Sequence, residues 1–186
     1  MKKTLLVTAF AFFAFVGVQA QNFQFGAKAG ANFASLNGDD VDDLDGKTSI
    51  HVGGVARISI SEFLAVQPEI LYSRQGAKDG DDTTLFLDYI NIPILVDFTL
   101  AEGLSLQGGP QIGININGIA KDEDSGNEID IDDIETVDLG VGLGAQYVLP
   151  MNLFFQARYV IGFSDIINDV EAKNTVVSLS VGYFFN

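Results

Sequence analysis

Phe23-Gln24-Phe25-Gly26-Ala27-Lys28-Ala29-Gly30-Ala31-Asn32-Phe33 alternates without a break. Phe23, Phe25, Ala27, Ala29, Ala31 and Phe33 fall on one side of an extended chain, and Gln24, Gly26, Lys28, Gly30 and Asn32 on the other. Successive side chains of a strand point to opposite faces, so the stretch predicts a strand with one apolar and one polar face. The same reading recurs downstream. Ile50, Val52, Ala56, Ile58 and Ile60 oppose His51, Gly53, Arg57 and Ser59, and Leu64, Val66, Pro68, Ile70 and Tyr72 oppose Ala65, Gln67, Glu69 and Ser73. Ile90, Ile92, Ile94, Val96 and Phe98 oppose Asn91, Pro93, Leu95 and Asp97. Four further alternating segments begin near Leu104, Val137, Leu153 and Val177. The sum is eight strands of about ten residues or more, the length that crosses hydrocarbon at a tilt.

The connections alternate short and long. Short turns fall at Ser61-Glu62, Ala101-Glu102-Gly103 and Pro150-Met151-Asn152; long loops are expected at Ser35–Thr48, Gln75–Thr84, Gly118–Glu135 and Ser164–Asn174. Those loops hold five, three, eight and three acidic residues, 19 of the chain's 25. Short turns on one side and long external loops on the other are the habit of bacterial outer-membrane barrels. The prediction is therefore all-β: an eight-stranded antiparallel up-and-down transmembrane β-barrel with short periplasmic turns and long acidic external loops. The alternative is a soluble barrel of the lipocalin type, whose apolar face would point inward. Here the polar face carries Lys28, Arg57, Glu69, Asp97, Asp138 and Arg158 among Gly, Gln and Asn. Such a face suits a polar lumen, where three cations and three anions would form a charge network.

The chain starts differently. Lys2 and Lys3 precede an apolar run from Leu5 to Val18, and Val18-Gln19-Ala20 has small residues at both cleavage-recognition positions. Residues 1–20 read as a secretory signal cut between Ala20 and Gln21, and 21–186 as the barrel. Gln21 is not Cys, so no lipoprotein anchor is expected. The 186 residues include no cysteine, so neither disulfides nor thiolate metal sites exist. The net charge is −15, and losing Lys2 and Lys3 leaves about −17, which argues against nucleic acid as a partner.

Several segments resemble the PorT-like outer-membrane β-barrel family common in Bacteroidetes: Tyr89-Ile90-Asn91-Ile92-Pro93-Ile94-Leu95, Gly109-Pro110-Gln111-Ile112-Gly113, Arg158-Tyr159-Val160-Ile161-Gly162-Phe163-Ser164-Asp165-Ile166, and the terminal Gly182-Tyr183-Phe184-Phe185. The resemblance covers nearly all of the mature chain and implies an outer-membrane location. Some members of that family are tied to a protein-secretion apparatus; no mechanism transfers with the likeness.

Three constellations bear on chemistry. His51 is the only histidine, on the inward face with Ser49 and Asp45 close in sequence. A hydrolase or acyltransferase would need such a base beside a nucleophile, but closeness in sequence is not triad geometry, and a hydrogen-bonded lumen residue is the plainer reading. Asp39, Asp40, Asp42, Asp43 and Asp45, with Asp122, Glu123 and Asp124, cluster carboxylates as hard cations prefer. Neither group meets the EF-hand spacing, so no cofactor is expected; ordinary solvated loops are the plainer reading, with a weak divalent-cation site as the alternative. Gly140, Gly142 and Gly144 lack the spacing and the following helix of a nucleotide fingerprint, and small inward residues there make room for Gln156 and Arg158. An eight-stranded barrel is narrow enough to be filled by side chains. The expectation is thus a non-enzymatic surface or envelope-accessory protein contacting lipid, lipopolysaccharide and envelope proteins. The alternatives are an enzyme using His51 and a narrow channel.

Overall fold

The computed structural model describes residues 23–38, 45–80, 83–122, 126–131, 134–167 and 170–185; residues 1–20, expected to be a secretory signal, lie outside them. The strands are β1 (Phe23–Asn37), β2 (Asp45–Ser59), β3 (Leu64–Gln75), β4 (Ala77–Asp79), β5 (Thr83–Ala101), β6 (Leu104–Asp122), β7 (Glu128–Asp130), β8 (Val137–Val148), β9 (Leu153–Ile167) and β10 (Val170–Phe185). Each of the eight long strands pairs antiparallel with its long neighbour in sequence, and β1 pairs with β10 to close the ring. Closure leaves the barrel wall without a free edge. The three-residue strands are additions at the end opposite the short turns, the end expected to be external: β4 joins β2 to β5 beyond the end of β3, and β7 lines β6.

The alternation has the phase expected from the sequence. On the outward set Ile70, Ile94 and Leu179 are 63%, 50% and 50% exposed, whereas the inward Gln67, Glu69 and Asp97 are wholly buried. Charge and amide groups thus occupy the middle of the lumen, beside a buried apolar cluster of Val55, Phe154 and Phe184 toward the short-turn end, and branched apolar residues cover the outside, the reverse of a water-soluble barrel. Phe25, Phe63, Phe98, Tyr147, Phe155 and Tyr183 stand outward at the short-turn end. Aromatic rings in that position are what a membrane–water boundary favours. The turns there use left-handed backbone, Gly103 at φ 77° and Asn152 at φ 65°, conformations that Gly and Asn tolerate best.

The external end departs from expectation. The segments read as long loops continue in large part as strand: β1 runs to Asn37, β2 already begins at Asp45, β5 at Thr83, and β6 ends only at Asp122. A tilted strand needs about 9–11 residues to cross a bilayer, and β5 and β6 have 19 each. Roughly half of each stands above the apolar belt. In this extension the polarity inverts. Leu36, Ala77, Leu87, Tyr89, Ile166 and Ala172 form a buried apolar cluster, with Leu85 and Ile134 packed against it. Asp45, Lys78, Asp122, Glu135, Asp165 and Lys173 face solvent. The segments were polar because their outer face meets water. Their described residues form strand because the inner face has a core of its own. An irregularity in the β5–β6 register between Asp88 and Tyr89, opposite Asn115 and Asn117, marks the level where the change occurs.

Candidate functional site

The middle of the lumen is filled from wall to wall. Glu69, on β3, accepts from Arg158 of β9 through two parallel bonds (2.7 and 2.9 Å), from Lys28 of β1 (2.8 Å) and from Gln67 (2.8 Å). Such a forked guanidinium–carboxylate contact fixes orientation as well as charge. Lys28 also donates to Gln156 Oε1 (2.6 Å), Gln156 to Gln107 (2.6 Å), and Gln107 to Asp97 Oδ2 (2.9 Å). Asp97 further accepts from Arg57 (3.0 Å) and Ser105 (3.0 Å). One chain of bonds therefore links Arg57, Asp97, Lys28, Glu69 and Arg158 across five strands. These groups lie where water is scarce, so each stays charged only because its partners replace the lost hydration.

Asp138 does not join that network. The expected three-against-three pairing fails at this residue: among the described residues its carboxylate meets Ser164 Oγ (3.0 Å) and Asn174 Nδ2 (3.4 Å), not a cation. Its register explains this. Asp138 sits at the start of β8, opposite Gly113, several residues above the level of Arg158. Asn174 also donates to Gln75, and Gln75 to Ser73 (3.1 Å), which makes a second, mostly neutral layer above the charged one.

His51 belongs to that upper layer. Its expected neighbours do not meet it: Ser49 Oγ donates to the Arg74 carbonyl (2.5 Å), and Asp45 is exposed at the head of β2 opposite Lys78. The imidazole instead contacts Asn32 Oδ1 through Nδ1 and Ser180 Oγ through Nε2, both at 2.8 Å. Asn32 Nδ2 donates to Ser73 Oγ and the Arg74 carbonyl (both 2.9 Å), which leaves Oδ1 as the acceptor toward His51. His51 thus carries its proton on Nδ1 and accepts from Ser180 at Nε2. Gly30 permits the span, because a Cβ there would lie 2.7 Å from the imidazole Cε1 and 2.0 Å from the Leu179 carbonyl. Gly142 does the same for Arg158, whose Cδ would be 3.3 Å from an added Cβ. Asn32, Ser180 and the glutamine chain were on the polar face in sequence; their meeting depends on the β1–β10 closure, which brings Ser180 opposite Gly30.

The free space beside His51, Lys28 and Arg158 is about 20 Å³, room for one water. Near the short-turn end the lumen widens to a vestibule of about 510 Å³ under Arg57. Of the acidic set weighed for a cation, Asp39, Asp40, Asp42, Asp43, Glu123 and Asp124 lie outside the described residues. Asp45 and Asp122 are exposed on different strands, and among the described residues no group of three acids or imidazoles is placed to hold an ion.

The fold has solved counterparts. Neisserial surface protein A is 18% identical, with a TM-score of 0.63 over 87% of this chain and 97% of that one. Ail, the attachment invasion locus protein of Yersinia pestis, is 18% identical, with a TM-score of 0.58 over 89% of this chain and 100% of that one. A second Ail structure, in complex with the heparin analogue sucrose octasulfate, superposes with a TM-score of 0.56, at the same identity and coverage. No curated protein matches by sequence. Residues 19–168 match the outer membrane protein beta-barrel domain family. With a closed barrel, an apolar exterior and a filled polar lumen, the chain belongs to that family and resides in the outer membrane.

Proposed function

We propose that this chain is a non-enzymatic surface protein whose plugged barrel anchors an external β platform that contacts envelope partners. The observation that carries the reading is the pairing of a lumen closed to about one water with an extension that has its own apolar core. A wall this well filled favours a scaffold over a channel, and an ordered rim suits recognition. Delivery by cleavage between Ala20 and Gln21 is part of the proposal; an intact mass that retains Met1 would refute it. So is the finer placing among PorT-like barrels, which rests on the segments that resemble them.

The partner surface is acidic, with Asp45, Asp122, Glu128, Glu135 and Asp165 all exposed. The polyanion seen on Ail would be repelled here. Lipopolysaccharide, also anionic, would need divalent cations as bridges between its phosphates and these carboxylates. Cleavage of the folded protein at Asp39–Gly46 should then slow in millimolar calcium and not in sodium chloride of matched ionic strength. Equal protection by both salts would remove the cation from the account. For protein partners, a photo-crosslinker at Thr136 should capture an envelope protein in intact cells, and one at Glu102 in a short turn should not. Equal capture at both ends would contradict an external platform.

A hydrolase reading has one specific observation in its favour: Ser180, His51 and Asn32 are joined in the order and tautomer of a nucleophilic triad. Against it, the neighbouring space is about 20 Å³ and the surrounding backbone donors are committed to strand ladders, so neither substrate nor oxyanion has a place. Labelling of Ser180 by a small fluorophosphonate, lost in His51→Gln without loss of folding, would reverse this judgement.

A further inference from the structure

The vestibule at the short-turn end has no role in the external contacts, yet it is a sizeable space at the barrel mouth. Its volume of about 510 Å³ falls in the range of small-ligand pockets. Arg57 forms its roof, Ser59, Ser61 and Thr99 bring hydroxyls to its wall, and Leu64 and Val148 give it apolar sides. Glu62, in the turn between β2 and β3, stands at the mouth.

Two features make this more than an open barrel end. Asp97, behind Arg57, is satisfied three times over, by Arg57, Ser105 and Gln107, and is fully buried. Arg57 is in the opposite condition. It uses a single bond on Asp97, its side chain is 18% exposed, and its Nε is buried without an acceptor among the described residues. A guanidinium has five N–H donors and this one spends one of them on a side chain among the described residues, so a small tilt would bring the idle Nε edge to a carboxylate in the vestibule that Arg57 lines. A plain anion is a poor occupant, because it would pass Glu62 and lie close to Asp97. A ligand with an ammonium beside its carboxylate meets both signs, the carboxylate at Arg57 and the ammonium at Glu62.

We infer that the vestibule binds a short peptide with free amino and carboxyl termini and small side chains, presented from the periplasm. The carboxylate sits under Arg57 with the hydroxyls of Ser59 and Thr99 near it, small methyl groups lie against Leu64 and Val148, and the amino end is held at Glu62.

Trialanine is the probe, titrated into the mature protein in lipid nanodiscs while the amide resonances of Ser59, Ser61 and Thr99 are followed. Saturable shifts are expected. N-acetyl-trialanine and trialaninamide, each missing one charge, should bind about tenfold more weakly, the effect of one charged hydrogen bond. Arg57→Gln alone would strand Asp97, so the roof is tested with Arg57→Gln/Asp97→Asn, which removes both charges and should abolish saturation. Glu62→Gln, at an exposed turn, should keep binding and erase the preference for the free amine. Unsaturable shifts, equal binding of the blocked peptides, or full binding by the double variant would each overturn the inference. Free peptides and the peptide stems of the cell wall both offer a carboxylate beside small side chains, the stems with a side-chain ammonium in place of their acylated amino end. Co-sedimentation with isolated sacculi that trialanine displaces identifies the tethered source; trialanine binding without co-sedimentation identifies the free one.

Discussion

The lower and upper halves of this barrel are built from the same strands and obey opposite rules. Around Glu69 the outside is apolar and the inside holds the charged network; around Leu87 the inside holds an apolar cluster, with the buried Lys47 donating to the Leu85 carbonyl beside it, and the outside carries Asp45, Asp122 and Asp165. Between them the backbone shows only local register irregularities, where β5 meets β6 and where β9 meets β10. What changes is the solvent. In hydrocarbon there is no hydrophobic reward for burying a leucine inward, so polar groups collect where they can satisfy one another. In water the reward returns, and the same pleat turns its apolar side in.

The largest expected difference between the halves concerns charge. Glu69→Ala leaves Lys28 and Arg158 facing each other without their shared acceptor, and should destabilise by about 3–5 kcal/mol. The triple change Lys28→Met/Glu69→Leu/Arg158→Met should cost less than that single one, because no charge is stranded. Asp165→Ala breaks the exposed Lys173–Asp165 contact, 4.0 Å long in the extension, and should move stability by under about 1 kcal/mol. Urea unfolding from lipid vesicles measures all three. Similar losses at Glu69 and Asp165 would mean that the two halves share one environment.

Next in size is the outer surface. Ile94→Arg or Val141→Arg, on the lipid side, should destabilise by about 2–4 kcal/mol. Thr48→Arg or Thr136→Arg, on the outer face of the extension, should stay within about 0.5 kcal/mol. Equal tolerance would favour a barrel that never enters a membrane. The smallest contrast sets one apolar truncation against another. Leu87→Ala opens a cavity in the external core and should cost about 2–3 kcal/mol. Leu179→Ala leaves a gap that lipid tails can fill, so its loss should be under about 1 kcal/mol. A larger loss at Leu179 would break the comparison.

The lower half was legible in the sequence because its two faces differ in residue class at every second position: Phe25, Ala27 and Ala29 against Gly26, Lys28 and Gly30 need no tertiary knowledge to separate. The upper half was not, because the alternation reverses phase there. A scan that follows apolar residues on the outer parity ends β5 at Ile90, although Leu85, Leu87 and Tyr89 continue on the inner one. Acidic residues such as Asp45 and Asp122 then read as loop when they are the wet face of a strand. The membership of the charged network was visible from parity, its partners were not. Arg57 meets Asp97, and Asp138 meets Ser164, through register and strand tilt that only the closed barrel defines. The same holds for His51, whose contacts come from the first and last strands of the ring.

Polarity reverses along single strands, and β10 carries that reversal on one outward row of side chains. The chain has no cysteine, so single nitroxide labels can be placed at Tyr183, Val181, Leu179, Val177, Thr175 and Lys173, all on one face. Collision with oxygen, which dissolves in lipid, is compared with collision with a water-soluble nickel chelate in reconstituted vesicles. Oxygen should dominate from Tyr183 to Val177 and the nickel chelate at Thr175 and Lys173, with the switch inside a single strand. Oxygen dominance that persists through Lys173, or nickel access along the whole row, would contradict the account.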